Sequence, residues 1–388
     1  PSFPDRGTGY NHWDPATQSW SAIPSSRLES NRTGWPSIVH TADGMEWVFS
    51  HNGNNIQAMK QDLINGGGWV EQGSIPTSAP ESVIWNRACA GGVDGNTIHL
   101  IASTTYNGTF INGLDQQILY YRSQDAGATW DIVDMTFEGM SPPMWGFDGD
   151  TYAISANGNT VAVAIFGTLQ DSYVWISNDN GSNWTRYVMN DFPIDNYQID
   201  SGTDIDNDGV EDRITSTSTS GNVGVDNNGV VHVSFASMDY IDFVNYYDNQ
   251  YNYFRASGEI KYWNSAMAGD PLDASDDFLI TAGVAPGIIE GVNVVQEQLG
   301  VYGFGGLVNH PSIVLSESGE VFILYDAVKE GSLQGGLYRR HLFMVKSTDG
   351  GVTWSEPVDV SPNLDGNNWE YNVACAALRV FDGKIHMT

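Results

Sequence analysis

The sequence has few basic residues, and this shortage excludes several classes of partner. Lys and Arg number 16 against 47 Asp and Glu, which leaves a formal net charge of −31. A chain this acidic repels nucleic acid and anionic lipid, so we expect neither as a partner. Such acidity also suits a secreted protein from a saline or calcium-containing environment. We therefore expect an extracellular or cell-surface location, in a bacterium.

Cysteines and long apolar runs are also scarce. Cys89 and Cys375 are too few for a disulfide framework, and each lies in an apolar segment that favours a buried free thiol. No apolar run is long enough for a membrane span, so direct membrane insertion is not expected. No signal peptide is recognisable, and a start at Pro1 suits a processed secreted protein and a trimmed chain equally.

The chain contains one short phrase three times, with the pattern Ser-x-Asp-x-Gly-x-x-Trp. The copies occupy residues 123–130, 177–184 and 347–354, and each follows an apolar strand. The Asp can accept backbone N–H groups of its own turn, and the Gly supplies a positive φ. The Trp then buries a large ring beneath the loop. This pattern predicts the tip of a β-hairpin at each copy.

A second repeated phrase consists of a strand, a turn at Asp-Gly, Asn-Gly or Ser-Gly, and another strand. Asn-Gly and Asp-Gly between apolar runs are strong hairpin signals. We identify six such hairpins, at residues 36–49, 88–101, 152–164, 223–233, 312–324 and 376–387. The last has no second hairpin after it, whereas residues 9–23 form an unpaired outer hairpin. The two termini are therefore predicted to complete one four-stranded unit together, which removes exposed strand edges.

With these repeats, the chain resembles the Asp-box, or BNR-repeat, β-propellers, whose best-known members are sialidases. The resemblance covers nearly the whole chain as a fold. It implies an all-β, six-bladed β-propeller of four-stranded antiparallel blades, closed by pairing the N- and C-terminal segments in one blade. We expect residues 1–388 to form one such domain. Insertions at about 190–220 and 239–258 would build a binding face on one rim.

The segment from Asp204 to Asp212 predicts a calcium site. Its spacing matches the first nine positions of an EF-hand-type loop. The predicted ligands are Asp204, Asp206, Asp208, Asp212 and the backbone carbonyl of Val210. Five carboxylates within nine residues repel one another unless a cation is present. Thr215 stands where a bidentate acid is expected, so Asp200 or another loop would complete the shell. The alternative is a solvated acidic turn.

Candidate ligand-binding residues lie where the predicted inner strands begin. Aromatic rings can stack on pyranose faces, and a few polar groups can fix the hydroxyls, so these positions resemble a sugar site. The alternative is that most of them are rim packing and turn residues. The candidates are Arg32, Trp35, Trp85, Arg87, Trp145, His310 and Trp369.

The resemblance also implies a catalytic set in part. Sialidases of this family hold a substrate carboxylate with three arginines and use a Tyr nucleophile with a Glu, and an Asp as acid/base. Residue by residue, Arg32 and Arg87 would grip the carboxylate, Tyr371 attack, Glu370 act as base and Asp148 as acid. The family's Arg-Ile-Pro phrase is not intact at Arg32, and Arg87 lies in the wrong blade. A third arginine is missing from the strand starts.

Two functions follow as hypotheses. The first, which the sequence favours, is a glycan- or protein-binding scaffold module that belongs to a larger surface assembly. The alternative is a sialidase-like glycoside hydrolase, or another polysaccharide-active enzyme, with its site at the channel mouth. The incomplete arginine set favours the binding module, and fold alone does not decide between them.

Overall fold

The computed structural model describes residues 5–14, 16–64, 67–244, 249–267, 280–284, 298–299, 305–329, 331–333, 335–361, 379–380 and 383–385. The regular elements of these residues are β-strands, and the sheets that they form are antiparallel. The all-β class and the four-stranded antiparallel sheets predicted from the sequence are confirmed. Within the described residues, no helix is long and apolar enough to span a membrane.

Strands follow one another along the chain in sheet order. A two-stranded hairpin contains β1 (Trp13–Asp14) and β2 (Ser19–Trp20). The first full sheet contains β3 (Gly34–His40), β4 (Met45–His51), β5 (Ile56–Asp62) and β6 (Val70–Ser74). The second contains β7 (Val83–Gly91), β8 (Thr97–Thr104), β9 (Ile118–Ser123) and β10 (Ile132–Met135). The third contains β11 (Tyr152–Asn157), β12 (Thr160–Ile165), β13 (Ser172–Ser177) and β14 (Thr185–Asn190).

The fourth sheet has five strands and the fifth has four. The fourth contains β15 (Ile214–Val225), β16 (Val231–Ile241), β17 (Asn252–Phe254), β18 (Glu259–Asn264) and β19 (Ile280–Val284). The fifth contains β20 (Val308–Leu315), β21 (Val321–Val328), β22 (Arg340–Ser347) and β23 (Val358–Asp359). The extra strand β17 comes from the insertion at 239–258, and β15 begins inside the insertion at 190–220. The first hairpin of the fourth sheet is therefore longer than the sequence suggested.

The chain divides into two compact units. The first consists of Pro1–Gly149, Ala156–Thr160 and Asp179–Ser182. The second consists of Asp150–Ser155, Val161–Asn178 and Asn183–Thr388. Within each unit, consecutive sheets share one apolar core. The first and second sheets meet through residues such as Phe49 and Leu100. In the second unit, the third and fourth sheets meet through Val174 and Val233, and the fourth and fifth through Ile260 and Ile313. Burial of aliphatic side chains of this size stabilises by about 1.5–3 kcal/mol each.

The three repeats of the Ser-x-Asp-x-Gly-x-x-Trp pattern lie at hairpin connections, as predicted. They join β9 to β10, β13 to β14, and β22 to β23. In the last copy, the carboxylate of Asp349 accepts the N–H of Thr353 at 2.9 Å and the hydroxyl of Ser347 at 2.8 Å. Hydrogen bonds from the Thr353 hydroxyl, its backbone N–H and Ser347 lower the pKa of Asp349 to about 2. The carboxylate thus organises its own turn.

The glycine of each repeat packs against an aromatic ring of the preceding sheet. Gly127 contacts Trp47, Gly181 contacts Tyr120, and Gly351 contacts Tyr262. A Cβ atom would overlap the ring at Gly127 and Gly351, and the hydroxyl oxygen of Tyr120 at Gly181. All three glycines also have positive φ, between 81° and 95°. Glycine is therefore required for two reasons. The turn needs a positive φ, and the aromatic side chain of the preceding sheet leaves no room for a Cβ atom.

His99, His232 and His386 occupy equivalent positions in the second strands of three predicted hairpins, and the first two share one contact. Nδ1 of His99 lies 2.7 Å from the hydroxyl of Tyr120, and Nδ1 of His232 lies 2.7 Å from that of Tyr262. Burial lowers the pKa of His99 to about 3, so its imidazole is neutral. The third member of the set, His386, lies outside the described residues.

Cys89 is a free cysteine on β7, as predicted, but it is only half-buried. Burial raises the pKa of its thiol above the ordinary value, so the thiolate is disfavoured. Cys375 and most of the sixth predicted hairpin lie outside the described residues.

Candidate functional site

In four sheets the first strand has the same irregularity, a bulge that carries a side chain at positive φ. The residues are Trp35 (φ 52°), Trp85 (φ 54°), Thr219 (φ 68°) and His310 (φ 48°). Each lies inside a register shift, in β3, β7, β15 and β20 respectively. All four are half-buried. Bulky and β-branched residues at positive φ cost of order 1–3 kcal/mol each, and such strain concentrates at functional sites. A bulge re-aims the side chain that it carries.

In the first unit, the two bulged tryptophans lie together. The ring centroids of Trp35 and Trp85 are 6.1 Å apart, with an interplanar angle of 57°. The Trp85 ring packs on Gly149, where a Cβ atom would lie 2.8 Å from its Cγ. Nη2 of Arg87 donates to the carbonyl of Gly149 at 2.7 Å. The predicted residues Trp35, Trp85 and Arg87 therefore form one cluster, which we call the tryptophan cluster.

Asp148, the predicted acid, is exposed and immediately precedes Gly149. The Arg87 contact ties this loop to β7, so Asp148 lies beside the tryptophan cluster. Trp145 is half-buried in the same loop. Tyr371, Glu370 and Trp369, the other predicted catalytic and binding residues, lie outside the described residues.

Sequence reasoning missed a buried histidine behind Trp35. His51 ends β4, is 6% exposed, and packs edge-on against Trp35 with ring centroids 6.1 Å apart. Neither of its ring nitrogens has a hydrogen-bond partner in the described part of the chain. Burial, and then the charges of Arg6 and Arg32, lower the pKa of His51 to about 4. The predicted residue Arg32 and the residue Arg6 therefore both lie near His51.

In the second unit, His310 contacts a buried ion pair. Its Nδ1 lies 2.7 Å from Oδ1 of Asp326, whose Oδ2 lies 2.8 Å from Nη1 of Arg340. Asp326 and Arg340 were not predicted as site residues. One signal was present in the sequence, because Asp326 is the single charged residue of the apolar strand Val321–Val328.

The acidic loop brings three predicted calcium ligands together. Carboxylate oxygens of Asp204, Asp206 and Asp208 lie within 4.8 Å of one another. Backbone N–H groups hold them, because Gly209 donates to Asp204 at 2.8 Å and Asp208 donates to both Asp204 and Asp206 at 3.1 Å. Three converging carboxylates are a donor set that suits Ca²⁺.

Of the other two predicted ligands, Asp212 lies outside this set, and the carbonyl of Val210 stays a prediction. The carboxylate of Asp212 accepts the N–H of Ile205 at 2.9 Å, and Asp212 is not among the three converging carboxylates. Val210 donates its N–H to Asp208 at 2.8 Å. Beside the loop, the buried Asp242 accepts the Tyr197 hydroxyl and the Asp200 N–H, each at 2.8 Å. Asp242 therefore anchors the insertion that carries the loop.

A comparison with models of protein families gives no match for this chain, and a comparison with curated proteins gives none either.

Several solved structures share part of its backbone arrangement. The α-L-arabinanase of Penicillium chrysogenum, complexed with arabinobiose, is 14% identical over 84% of this chain and 81% of that chain, with a TM-score of 0.40. The GH93 α-L-arabinofuranosidase of Fusarium graminearum is 12% identical over 84% of this chain and 81% of that chain, with a TM-score of 0.42. A Hadza microbial sialidase is 13% identical over 84% of this chain and 58% of that chain, with a TM-score of 0.40. At these TM-scores the similarities carry no function over to this chain.

Proposed function

We propose that the protein is a glycoside hydrolase that acts on a polysaccharide, built on a six-bladed β-propeller of the Asp-box, sialidase-like type. The five full sheets would be blades, and the β1–β2 hairpin would complete the sixth with the C-terminal segment. Face-to-face packing of consecutive sheets within each unit supports this architecture. The three Ser-x-Asp-x-Gly-x-x-Trp turns support the Asp-box assignment.

The observation that carries the function is the set of strained bulges in the first strands of four sheets. Glycine would adopt positive φ without strain, yet the chain places Trp35, Trp85, Thr219 and His310 there. The paired rings in the first unit suit stacking against a sugar, and Arg87 and Asp148 lie beside them. In the second unit, the partly exposed imidazole of His310 contacts the buried carboxylate of Asp326. Ligand binding alone does not need such a pair. These features shift the preference from the binding module to the hydrolase.

In the sialidase-like version of this proposal, Arg32 and Arg87 hold a carboxylate, Tyr371 is the nucleophile, Glu370 the base and Asp148 the acid. The two cations near His51, Arg6 and Arg32, support binding of an acidic sugar there, although the chain as a whole is strongly acidic. A local positive potential can outweigh a distant negative one because salt screens charges beyond about 10 Å.

We expect the wild-type protein to hydrolyse at least one member of a panel of fluorogenic glycosides that includes sialosides and arabinosides. Trp35→Ala should lower kcat/KM about tenfold, because the loss of about 1.4 kcal/mol of stacking corresponds to that factor. Tyr371→Phe should abolish turnover in the sialidase-like version. The measurement is initial rates at several substrate concentrations.

Trp20→Ala is the matched control for Trp35→Ala, because Trp20 is 59% exposed in the β1–β2 hairpin and is not part of the tryptophan cluster. Equal losses in both variants would remove Trp35 from the site. Full turnover by Tyr371→Phe would keep the enzyme and discard that nucleophile. If protein shown to be folded hydrolyses no glycoside of the panel, the hydrolase function is refuted.

The second candidate is a glycan- or protein-binding module, and one observation favours it. Glycosidases generally need two carboxyl groups about 5–10 Å apart. Asp148 is adjacent to the tryptophan cluster, but Glu370, the carboxyl group predicted to act with it, lies outside the described part of the chain. Binding on a glycan array by protein that is silent on the glycoside panel would establish this candidate.

We also propose that the acidic loop binds a structural Ca²⁺ ion. Asp204, Asp206 and Asp208 would hold it, with Val210 and Asp212 as the remaining predicted ligands. The support is the convergence of three exposed or half-buried carboxylates, which repel one another without a cation.

Removal of calcium with EDTA is expected to lower the melting temperature and to make residues 200–215 sensitive to protease. A bound ion stabilises the folded state by mass action, so the shift should grow with added Ca²⁺. Asp206→Asn should weaken the response, whereas Glu356→Gln, an exposed acid far along the chain, should leave it intact. An identical melting curve and digestion pattern with and without EDTA would contradict the calcium site.

We propose, finally, that the protein works outside the cell or at the cell surface. A glycan is the proposed partner, and a cell-surface protein or a larger surface assembly is the further expectation. The excess of acidic residues supports the extracellular or cell-surface location.

A further inference from the structure

The fifth sheet holds a hydrogen-bonded chain of three side chains that runs from the surface into the core. Nδ1 of His310 contacts Oδ1 of Asp326 at 2.7 Å, and Oδ2 of Asp326 contacts Nη1 of Arg340 at 2.8 Å. The exposed fractions of the side chains are 39%, 1% and 4% respectively. The imidazole is therefore the exposed end of a chain whose other members are buried.

These contacts determine which ring nitrogen carries the proton. The Asp326 carboxylate, paired with Arg340, can only accept a hydrogen bond, so Nδ1 of His310 is the donor. A neutral imidazole with a proton on Nδ1 has a lone pair on Nε2. Arg340 also donates to the carbonyls of Gly306 and Leu307, which fixes the guanidinium and through it the carboxylate. Asp326 thus orients the ring and holds one tautomer.

The backbone of His310 is also fixed. Its N–H donates to Oγ of Ser220 at 3.3 Å, and Ser220 in turn donates to Asn309. The positive φ of 48° is held by the bulge between Asn309 and Ser312. Strain of this kind persists only where the surroundings determine the conformation, and it is typical of functional residues.

Other histidines of the chain show what a structural role looks like. His99 and His232 are buried and bond to tyrosine hydroxyls. His341 contacts Asp359 at 2.9 Å, but that carboxylate is 25% exposed and also pairs with Lys329. Among the described histidines, His310 alone combines positive φ, partial exposure and a fully buried carboxylate partner.

We infer that His310 is a catalytic general base, with Asp326 and Arg340 as positioning residues. This inference rests on the proposed glycoside hydrolase function, in a version in which water attacks the anomeric carbon directly and Tyr371 is not the nucleophile. Nε2 would accept a proton from the attacking water as the water oxygen bonds to the anomeric carbon. The glycosidic C–O bond breaks with its electron pair on the leaving oxygen, which takes a proton from solvent. The imidazolium then releases its proton to solvent, so the net reaction is the addition of one water.

His310→Asn is expected to lower kcat about 100-fold or more, with little change in KM, because general bases contribute factors of this size. Asn tolerates positive φ better than most residues, and its amide can still donate to Asp326, so the variant should fold. Asp326 on β21 is the charged group that contacts the ring, and Arg340 on β22 contacts Asp326.

The matched control is His341→Asn, which removes a histidine from another His–Asp pair of the same sheet and should leave kcat unchanged. A kcat of His310→Asn within tenfold of wild type would overturn the inference while the hydrolase stands. Wild-type protein that turns over no glycoside would refute the proposed function, and the general base with it.

The tautomer gives a test that needs no substrate. Nitrogen-15 NMR of the neutral imidazole should show His310 with a proton on Nδ1 and none on Nε2, and Asp326→Asn should weaken that preference. A proton on Nε2 of neutral His310 would overturn the inference whether or not the protein is a hydrolase.

Discussion

Replacing Gly351 by alanine is expected to lower the free energy of unfolding by about 3 kcal/mol. Gly351 has a φ of 95°, and its Cβ would overlap Cε1 of Tyr262. That ring cannot move aside easily, because Tyr262 is fully buried and its hydroxyl is held by His232 at 2.7 Å and Asn264 at 3.0 Å. Backbone strain and overpacking therefore add. Urea unfolding followed by tryptophan fluorescence measures the change.

The adjacent Gly350 provides a matched control. Its φ is 75°, but no atom lies within 4 Å of a Cβ built there. Gly350→Ala should therefore cost about 1–2 kcal/mol, the backbone strain alone. If the two variants lose the same stability, the contact between the turn and the preceding sheet is not a constraint on the fold.

Replacing Arg340 by methionine should cost about 3–5 kcal/mol. The change keeps most of the side-chain volume but leaves the carboxylate of Asp326, which is 1% exposed, without its cation. Removing one partner of a buried ion pair is costly because the remaining charge has lost its water and gains nothing in return. His310 still donates to Asp326, so the lower end of the range is expected. The same urea experiment measures the loss.

Arg213→Met tests whether this loss comes from burial rather than from the ion pair as such. Arg213 pairs with Asp239 at 2.6 Å, but its side chain is 47% exposed. Exposed pairs of this kind contribute about 0–1 kcal/mol. A similar loss in both variants would mean that Asp326 is not electrostatically isolated in the core.

Local chemistry explains why the strands were predictable. A Gly after Asp or Asn, between two apolar runs, defines a hairpin within about ten residues. Five of the six predicted hairpins are therefore found where the sequence placed them. The turn around Asp349 is equally local, since its carboxylate bonds groups at most four residues away. Such features need no information from distant parts of the chain.

The candidate site was only partly predictable, because it depends on residues that are far apart in the sequence. Trp35, Trp85 and His310 were recognisable as polar or aromatic residues at strand starts, but nothing in the sequence shows that they have positive φ. The sequence also does not indicate that His51 approaches Arg6 and Arg32, since these residues are separated by 19 to 45 positions. Asp326 gave a weak signal as a lone charge in an apolar strand, yet its partners lie on two other strands.

The sequence by itself determined the all-β class, the positions of the hairpins and the chemistry of their turns, because each depends on neighbouring residues. Only the tertiary structure decided which side chains meet. It placed Trp47, Tyr120 and Tyr262 beneath turn glycines and the Asp326–Arg340 pair behind His310. It also separated three converging aspartates from Asp212. These contacts arise when strands pair and sheets pack, and the register that sets them is a property of the folded chain.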